Sequence, residues 1–249
     1  MKSYIKILFA AAAISMTTAL RAQEYSGITG LFQVPSAEMA PEGTARIGVY
    51  YMSKEFIPDK ITFNGEKFNT TNHFLGITPF SWIEISYICT LLKAYKNNDD
   101  SQKSGYYMKD RHFSVKIRPL KEGKWWPAIA LGYQDPGRTV EDKGGEAAYF
   151  SNYYAVATKH IPCCWGSELG VTVAYRHYRG SMNEKWNGIA GGLSFRPAFA
   201  KDLRALVEYT GDDVNVAVDY LLLKHFFLQA GLQDGKHFTG GVCCHINLF

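Results

Sequence analysis

The sequence predicts an all-β protein: a single antiparallel transmembrane β-barrel of about twelve strands. Three observations carry the prediction. Residues alternate with a period of two, one parity apolar and the other charged or amide; about twelve such stretches follow one another; and the connections between the first of them alternate long and short. The alternation is clearest late in the chain. In DVNVAVDY (213–220), Val214, Val216, Val218 and Tyr220 take one parity, and Asp213, Asn215 and Asp219 the other. In 202–209, Leu203, Ala205, Val207 and Tyr209 alternate with Asp202, Arg204 and Glu208, with Leu206 as the exception. In 226–234, Phe226, Leu228, Ala230 and Leu232 alternate with Gln229 and Gln233. A strand sends successive side chains to opposite faces. Such a sheet suits an apolar medium on one side and water on the other, which a closed barrel in a bilayer provides without leaving an unpaired edge.

Composition fits this class. The chain has 249 residues, enough for one domain, and is 14% aromatic with 16 Tyr, in keeping with aromatic girdles. Nine Pro and a mean hydropathy just below zero argue against both a disordered chain and a bundle of membrane helices. Acids and bases are interspersed around a net charge of +4, and no basic stripe interleaves with aromatics, so nucleic acid is not an expected partner.

Residues 1–22 read as a secretory signal peptide. Lys2 and Lys6 open it, 7–14 is a short apolar run, and Ala22 precedes Gln23 at a plausible cleavage point. The run is shorter than the roughly 20 apolar residues of a membrane helix. Residues 23–43 come before the first strand. Gly27, Gly30, Pro35, Pro41 and Gly43 break any regular element there. Two readings are open for this segment. It is either a plug in the lower lumen, with Leu31 and Phe32 packed inside and Glu38 or Glu42 meeting lumen bases, or a periplasmic tail with one turn.

Strands are expected at 45–53, 69–78, 81–93, 109–119, 125–135, 149–161, 166–178, 185–197, 201–210, 213–223, 225–234 and 237–249, completing the 23–249 barrel. An even number suits a single-chain bacterial barrel. The polar connections 54–68, 94–108 and 136–148 are long, while those after the second, fourth and sixth strands are short. Barrels favour short turns on the periplasmic side and long loops outside, which sets the orientation.

The apolar parity names the lipid face: Ile47, Val49, Tyr51, Ile83, Ile85, Tyr87, Phe113, Val115, Ile117, Ile129, Leu131, Leu169, Val171, Val173, Leu193 and Phe195 join the residues above. The other parity lines the lumen with Arg46, Glu84, Lys116, Arg118, Lys159, Glu168, Arg176, Arg196, Arg204, Glu208 and Asp219. A base at the bilayer midplane costs roughly 2–4 kcal/mol, which accounts for the segregation. Trp82, Trp125, Trp126, Trp165, Tyr178 and Trp186 fall at strand ends, where rings with a polar edge favour the headgroup level. Phe249 supplies a terminal aromatic, although Asn247 and His245 share its register and Val242, Cys244, Ile246 and Leu248 form the apolar set.

Five Cys occur: Cys89 and the adjacent pairs Cys163, Cys164 and Cys243, Cys244, both pairs toward the periplasmic rim. Adjacent thiols cannot supply the usual zinc bite, and the seven His form no metal spacing with acids, so no metal or cofactor is expected. The Cys read as small unpaired strand or turn residues. A bridge between the pairs would need Cα atoms within about 7 Å.

Two stretches carry a resemblance. GITGLFQVPSAEMAPEGTARIGVYY (27–51) and FSVKIRPLKEGKWWPAIALGYQDPGRT (113–139), the latter followed by YYAVATKHI (153–161), resemble the YjbH-like family of outer-membrane exopolysaccharide-biosynthesis proteins. Members are often longer, so this would be a short, single-barrel form. The resemblance implies a location in the bacterial outer membrane and a non-enzymatic role in exopolysaccharide or capsule biosynthesis or export. Outer-membrane lipid, the barrel-assembly machinery, and exopolysaccharide or periplasmic export components would be the partners. It implies no catalytic residue.

The lumen charges Arg46, Lys116, Arg118, Arg176, Arg196, Arg204, Glu208 and Asp219 are the candidate saccharide-contacting residues, with Tyr50 and Tyr153 as lumen rings for sugar faces. Alternatively, these charges pair across a narrow barrel and fill it. A small-solute channel is the second reading of the chain. A third takes His112 and Ser114, spaced as in outer-membrane phospholipase A, as a lipid hydrolase; their parity places both in the lumen instead.

Overall fold

The computed structural model describes residues 23–136, 149–179 and 183–248. Its strands are β1 (Thr44–Met52), β2 (Thr70–Phe80), β3 (Ile83–Tyr95), β4 (Ser104–Leu120), β5 (Ala128–Gln134), β6 (Asn152–Pro162), β7 (Glu168–Tyr178), β8 (Gly188–Arg196), β9 (Leu203–Tyr209), β10 (Val214–Leu222), β11 (Phe226–Gln233) and β12 (His237–Asn247). Each pairs antiparallel with its neighbours in sequence. β1 pairs with β12 from Thr44↔Asn247 to Tyr51↔Gly240, which closes the barrel. Closure satisfies every ladder and removes the edge that hydrocarbon would not tolerate.

The parity expected from sequence sets the two faces. Val214, Val216, Val218 and Tyr220 lie on the exterior, while Asn215, Ala217 and Asp219 between them are buried. Ile47, Leu75, Phe113, Leu131, Val173, Leu193 and Val207 extend the apolar exterior around the wall. Aromatic residues collect at the two rims. At the rim of the short turns stand Phe80, Trp82, Trp125, Trp126, Trp165 and Phe199, all exposed. The opposite rim carries Tyr51, Tyr153, Tyr175, Tyr209 and Phe238. Two such belts bracket an apolar band as the two headgroup layers require.

Several expectations need correction. β6 presents Asn152, Tyr154, Val156 and Thr158 inward, so Tyr153 faces outward and Lys159 shares the outward parity. Lys159 lies at the short-turn rim, where it reaches Glu122 at 2.8 Å. Tyr178 and Trp186 are not belt residues. They are buried against each other, ring centroids 5.9 Å apart. The connection expected at 94–108 is shortened to 96–103, because β3 and β4 continue as a two-stranded ribbon as far as the pair Tyr95↔Ser104. On that ribbon Leu92 and Ala94 keep the buried parity of β3, while Tyr106, Tyr107, Met108 and Lys109 of β4 are all exposed. The signal segment 1–22, most of the loop 136–148, the side chain of Cys164 and Phe249 lie outside the described residues. Cys89, Cys163, Cys243 and Cys244 are free thiols.

Residues 23–40 run inside the barrel, and all are buried. Short turns fold the segment upon itself: Glu24 N donates to Ile28 O at 2.9 Å and Leu31 N to Val34 O at 2.8 Å. Room comes from small inward residues on the wall. A Cβ on Gly192 would stand 2.7 Å from the Leu31 side chain, and one on Gly231 2.8 Å from the Phe32 ring. Of the two readings open for this segment, the fold takes the plug.

Candidate functional site

The lumen is the site, and its charged residues hold the plug through backbone groups. Glu208 on β9 faces the turn at 32–34. One carboxylate oxygen accepts from Phe32 N and Val34 N at 3.0 Å each; the other accepts from Gln33 N at 2.8 Å and from the Asn215 amide at 2.8 Å. Successive peptide N–H groups converging on one anion form a nest. Charge-assisted bonds of this kind are about twice as strong as neutral ones.

Glu84 on β3 does the same at the other end of the plug. It accepts from Thr29 N at 2.9 Å, from the Thr29 hydroxyl and from Ala40 N at 2.7 Å, and it pairs with Lys116 at 3.0 Å and Arg46 at 3.4 Å. Lys116 Nζ in turn donates to Thr29 O and Glu38 O, both at 2.7 Å. Arg176 donates to Gln33 O at 3.1 Å and to Thr210 O. Arg204 binds Asp219 through Nε at 2.6 Å and lies 3.8 Å from Glu38. Gln229 joins Asp219 at 2.7 Å and the plug's Leu31 O at 3.0 Å. Tyr50 donates to Gln229 at 2.9 Å. Buried charges are tolerated only where pairing and hydrogen bonds replace water, and here the replacement is largely plug backbone.

Six of the eight candidate residues, Arg46, Lys116, Arg176, Arg204, Glu208 and Asp219, are thus brought together around the plug. Of the two readings of these charges, saccharide contact or pairing that fills a narrow barrel, the structure shows the filled interior. Arg118 and Arg196 stand apart at the short-turn rim, half-buried, where Arg118 donates to Ser81 O at 2.7 Å and Arg196 pairs with Glu168 at 2.6 Å. Glu38 fulfils the expectation of a plug acid meeting lumen bases, lying near Arg204 and 3.2 Å from His160. Glu42 does not, since it accepts from Ser81 N at 3.1 Å in the open.

Apolar contacts seal the outer end. Phe56 and Ile57 of the β1–β2 connection turn inward, and Phe56 packs edge-on against Tyr25 at 5.8 Å and Phe32 at 5.3 Å. Phe150 and Trp186 complete this lid of rings. The lumen side chains missed in the sequence are mostly apolar: Phe74, Ile88, Ala130, Val156, Leu206 and Phe227. Leu206 breaks its strand's alternation because it faces the plug rather than water, and that break was the available signal.

The mouth at the short-turn rim is more open. A cavity of about 320 Å3 lies between the plug's Ala37 and Glu38, the β4–β5 turn at Lys121 and Glu122, and Thr158 and His160 of β6. His160 bridges the two acids, 2.7 Å from Glu122. Burial raises the Glu122 carboxyl, but hydrogen bonds from His160 and Lys159 outweigh it and hold the group below the ordinary carboxylate range.

His112 and Ser114 are buried in the lumen as their parity implied. The ring nitrogens of His112 meet Asp110 at 3.1 Å and Gln134 at 3.1 Å, so neither is directed to Ser114. A nucleophile needs its base within hydrogen-bond reach, and lipid has no route to this serine through a plugged lumen. Among the described residues no group of three or more His, Cys, Asp or Glu could hold a metal ion.

A closed twelve-stranded wall, an apolar exterior with two aromatic belts and a charge-anchored plug define a membrane-spanning β-barrel of the outer-membrane type. The family model of the YjbH exopolysaccharide biosynthesis proteins matches residues 22–193, and the chain belongs to that family. No curated protein matches the chain. Among solved structures, the outer-membrane phospholipase dimer of Salmonella typhi with bound calcium aligns with 84% of this chain and 92% of its own, at 11% identity and a TM-score of 0.35.

Proposed function

We propose that the protein resides in the bacterial outer membrane and serves exopolysaccharide or capsule biosynthesis or export without catalysing a reaction. In this reading residues 1–22 direct secretion, the barrel-assembly machinery inserts the wall, and the sealed barrel acts as a docking platform for saccharide or for periplasmic export components. Family membership supports the connection to exopolysaccharide. The observation that favours a platform over a conduit is the plug, whose backbone engages Glu84, Lys116, Arg176 and Glu208. A channel for small solutes would need these contacts broken. A lipid hydrolase would need Ser114 accessible and joined to His112.

The test is deletion of the gene with measurement of surface polysaccharide, together with conductance of the purified barrel in planar bilayers. The expected results are a loss of polysaccharide and a nearly silent bilayer. Unchanged polysaccharide with steady conductance would replace the proposal by the channel. Lipid hydrolysis abolished by Ser114→Ala would replace it by the enzyme.

A further inference from the structure

The ribbon formed by β3 and β4 above the membrane and the β1–β2 connection beside it enclose a groove of about 650 Å3 on the long-loop side. Three rings line it: Phe63, Tyr95 and Tyr107. Asn97 and Asn98 line it too, in consecutive left-handed conformations (φ 54° and 57°) that Asn tolerates better than other side-chain-bearing residues. Lys96 is the one charged residue of its lining. Flat rings, adjacent amides and a single cation, exposed to the exterior, differ in kind from the polar cavity at the opposite mouth. The size falls within the range of small-ligand sites, which pair apolar walls with a few placed polar groups.

The groove is built rather than incidental. Its two walls are tied: the Tyr95 hydroxyl donates to Glu66 at 2.8 Å, the Asn64 amide to Asn98 O at 3.1 Å, and Phe68 meets Tyr95 edge-on at 5.5 Å. The Tyr107 ring lies against Gly105. A Cβ there would come within 3.0 Å of it, so this glycine leaves the space that the ring occupies.

We infer that this groove is an outward-facing binding site for an anionic saccharide chain, a uronic-acid polymer being the simplest chemical type. The inference rests on the exopolysaccharide reading above and deepens it by naming a ligand class and a place. The C–H face of a pyranose stacks on tyrosine and phenylalanine rings, Asn97 and Asn98 offer both donors and acceptors to neighbouring hydroxyls, and Lys96 faces the carboxylate. An acidic peptide could satisfy Lys96 but has no flat apolar face for three rings.

The test uses the full chain in detergent micelles, with folding verified by its heat-modifiable migration in gels. Hexagalacturonate, maltohexaose and a hexaglutamate peptide are titrated calorimetrically. Hexagalacturonate is expected to bind most tightly. Tyr107→Ala and Tyr95→Ala each weaken it by about tenfold, as the loss of one stacked ring implies. Gly105→Val, which keeps every ring but displaces that of Tyr107, does the same, and Lys96→Gln weakens hexagalacturonate while leaving maltohexaose unaffected. No binding of hexagalacturonate at millimolar concentration, affinity unchanged in Tyr107→Ala and Gly105→Val, or preference for either other probe overturns the inference. Failure of the wider reading is separable, because it would show as normal polysaccharide in the deletion strain whatever the titrations give.

Discussion

Replacing Glu208 tests whether the plug is held by the nest at residues 32–34. In Glu208→Ala three N–H groups, those of Phe32, Gln33 and Val34, lose their acceptor together with the Asn215 amide. Each buried donor left without a partner costs about 1–3 kcal/mol. Water entering the space vacated by the carboxylate would restore some of these bonds, leaving a net loss of about 3 kcal/mol, or roughly a hundredfold in the equilibrium between seated and released plug. Hydrogen exchange by mass spectrometry on the micellar protein reads this directly. Peptides covering 31–35 should exchange about a hundredfold faster in the variant while those from β9 and β10 keep their wild-type protection. Glu208→Gln, which retains one acceptor oxygen, should fall between the two proteins. In planar bilayers Glu208→Ala should show intermittent openings absent from the wild type. Unchanged exchange at 31–35, or equal acceleration throughout the barrel, would refute a local anchoring role.

Lys116→Met leaves Arg46 as the one cation paired with Glu84 and removes three bonds to plug carbonyls, so it should cost about 3–5 kcal/mol in urea unfolding of the micellar protein, as expected for a broken buried pair. Val218→Arg, at the middle of β10 on the exterior, should destabilise the barrel by roughly 2–4 kcal/mol in lipid vesicles, whereas the same change at the outer-rim residue Tyr209 should cost about 1 kcal/mol or less. Glu122 has its carboxyl lowered in the fold, so its contribution is present above the ordinary carboxylate value of about 4.3 and is lost as pH falls through the lowered folded value. The thermal unfolding midpoint should therefore fall on acidification in the wild type, and the slope should be shallower in Glu122→Gln.

What the sequence made legible, and what it hid, follows from the solvents around each residue. Hydrocarbon enforces alternation strictly, and for that reason Val214, Val216 and Val218 located β10 and its outward face. Where the lumen is packed with protein the rule relaxes. Leu206, Phe74 and Phe227 face inward as apolar residues, and β6 places Tyr153 outside and Tyr154 inside, an adjacent pair that composition alone cannot sort. Tyr178 and Trp186 share the amphipathic character of belt residues, yet they turn inward to close the outer end. The candidate bases and acids were recognisable from parity. Their partners were not, because those partners are the backbone of 23–40, which carries no side-chain pattern. Gly192 and Gly231 were the available hint: an inward position without a side chain marks a place where something else approaches.

The plug lies at the N-terminal end of the described chain, but its anchors arrive late. Phe32, Gln33 and Val34 wait for Glu208 on β9, and Leu31 for Gln229 on β11. Between synthesis of the first group and the last, nearly two hundred residues must be delivered. The seam joining β1 to β12 closes the wall around the plug segment. The bonds of the plug thus run against chain order: residues near the start of the described chain complete their hydrogen bonds on strands that come near its end.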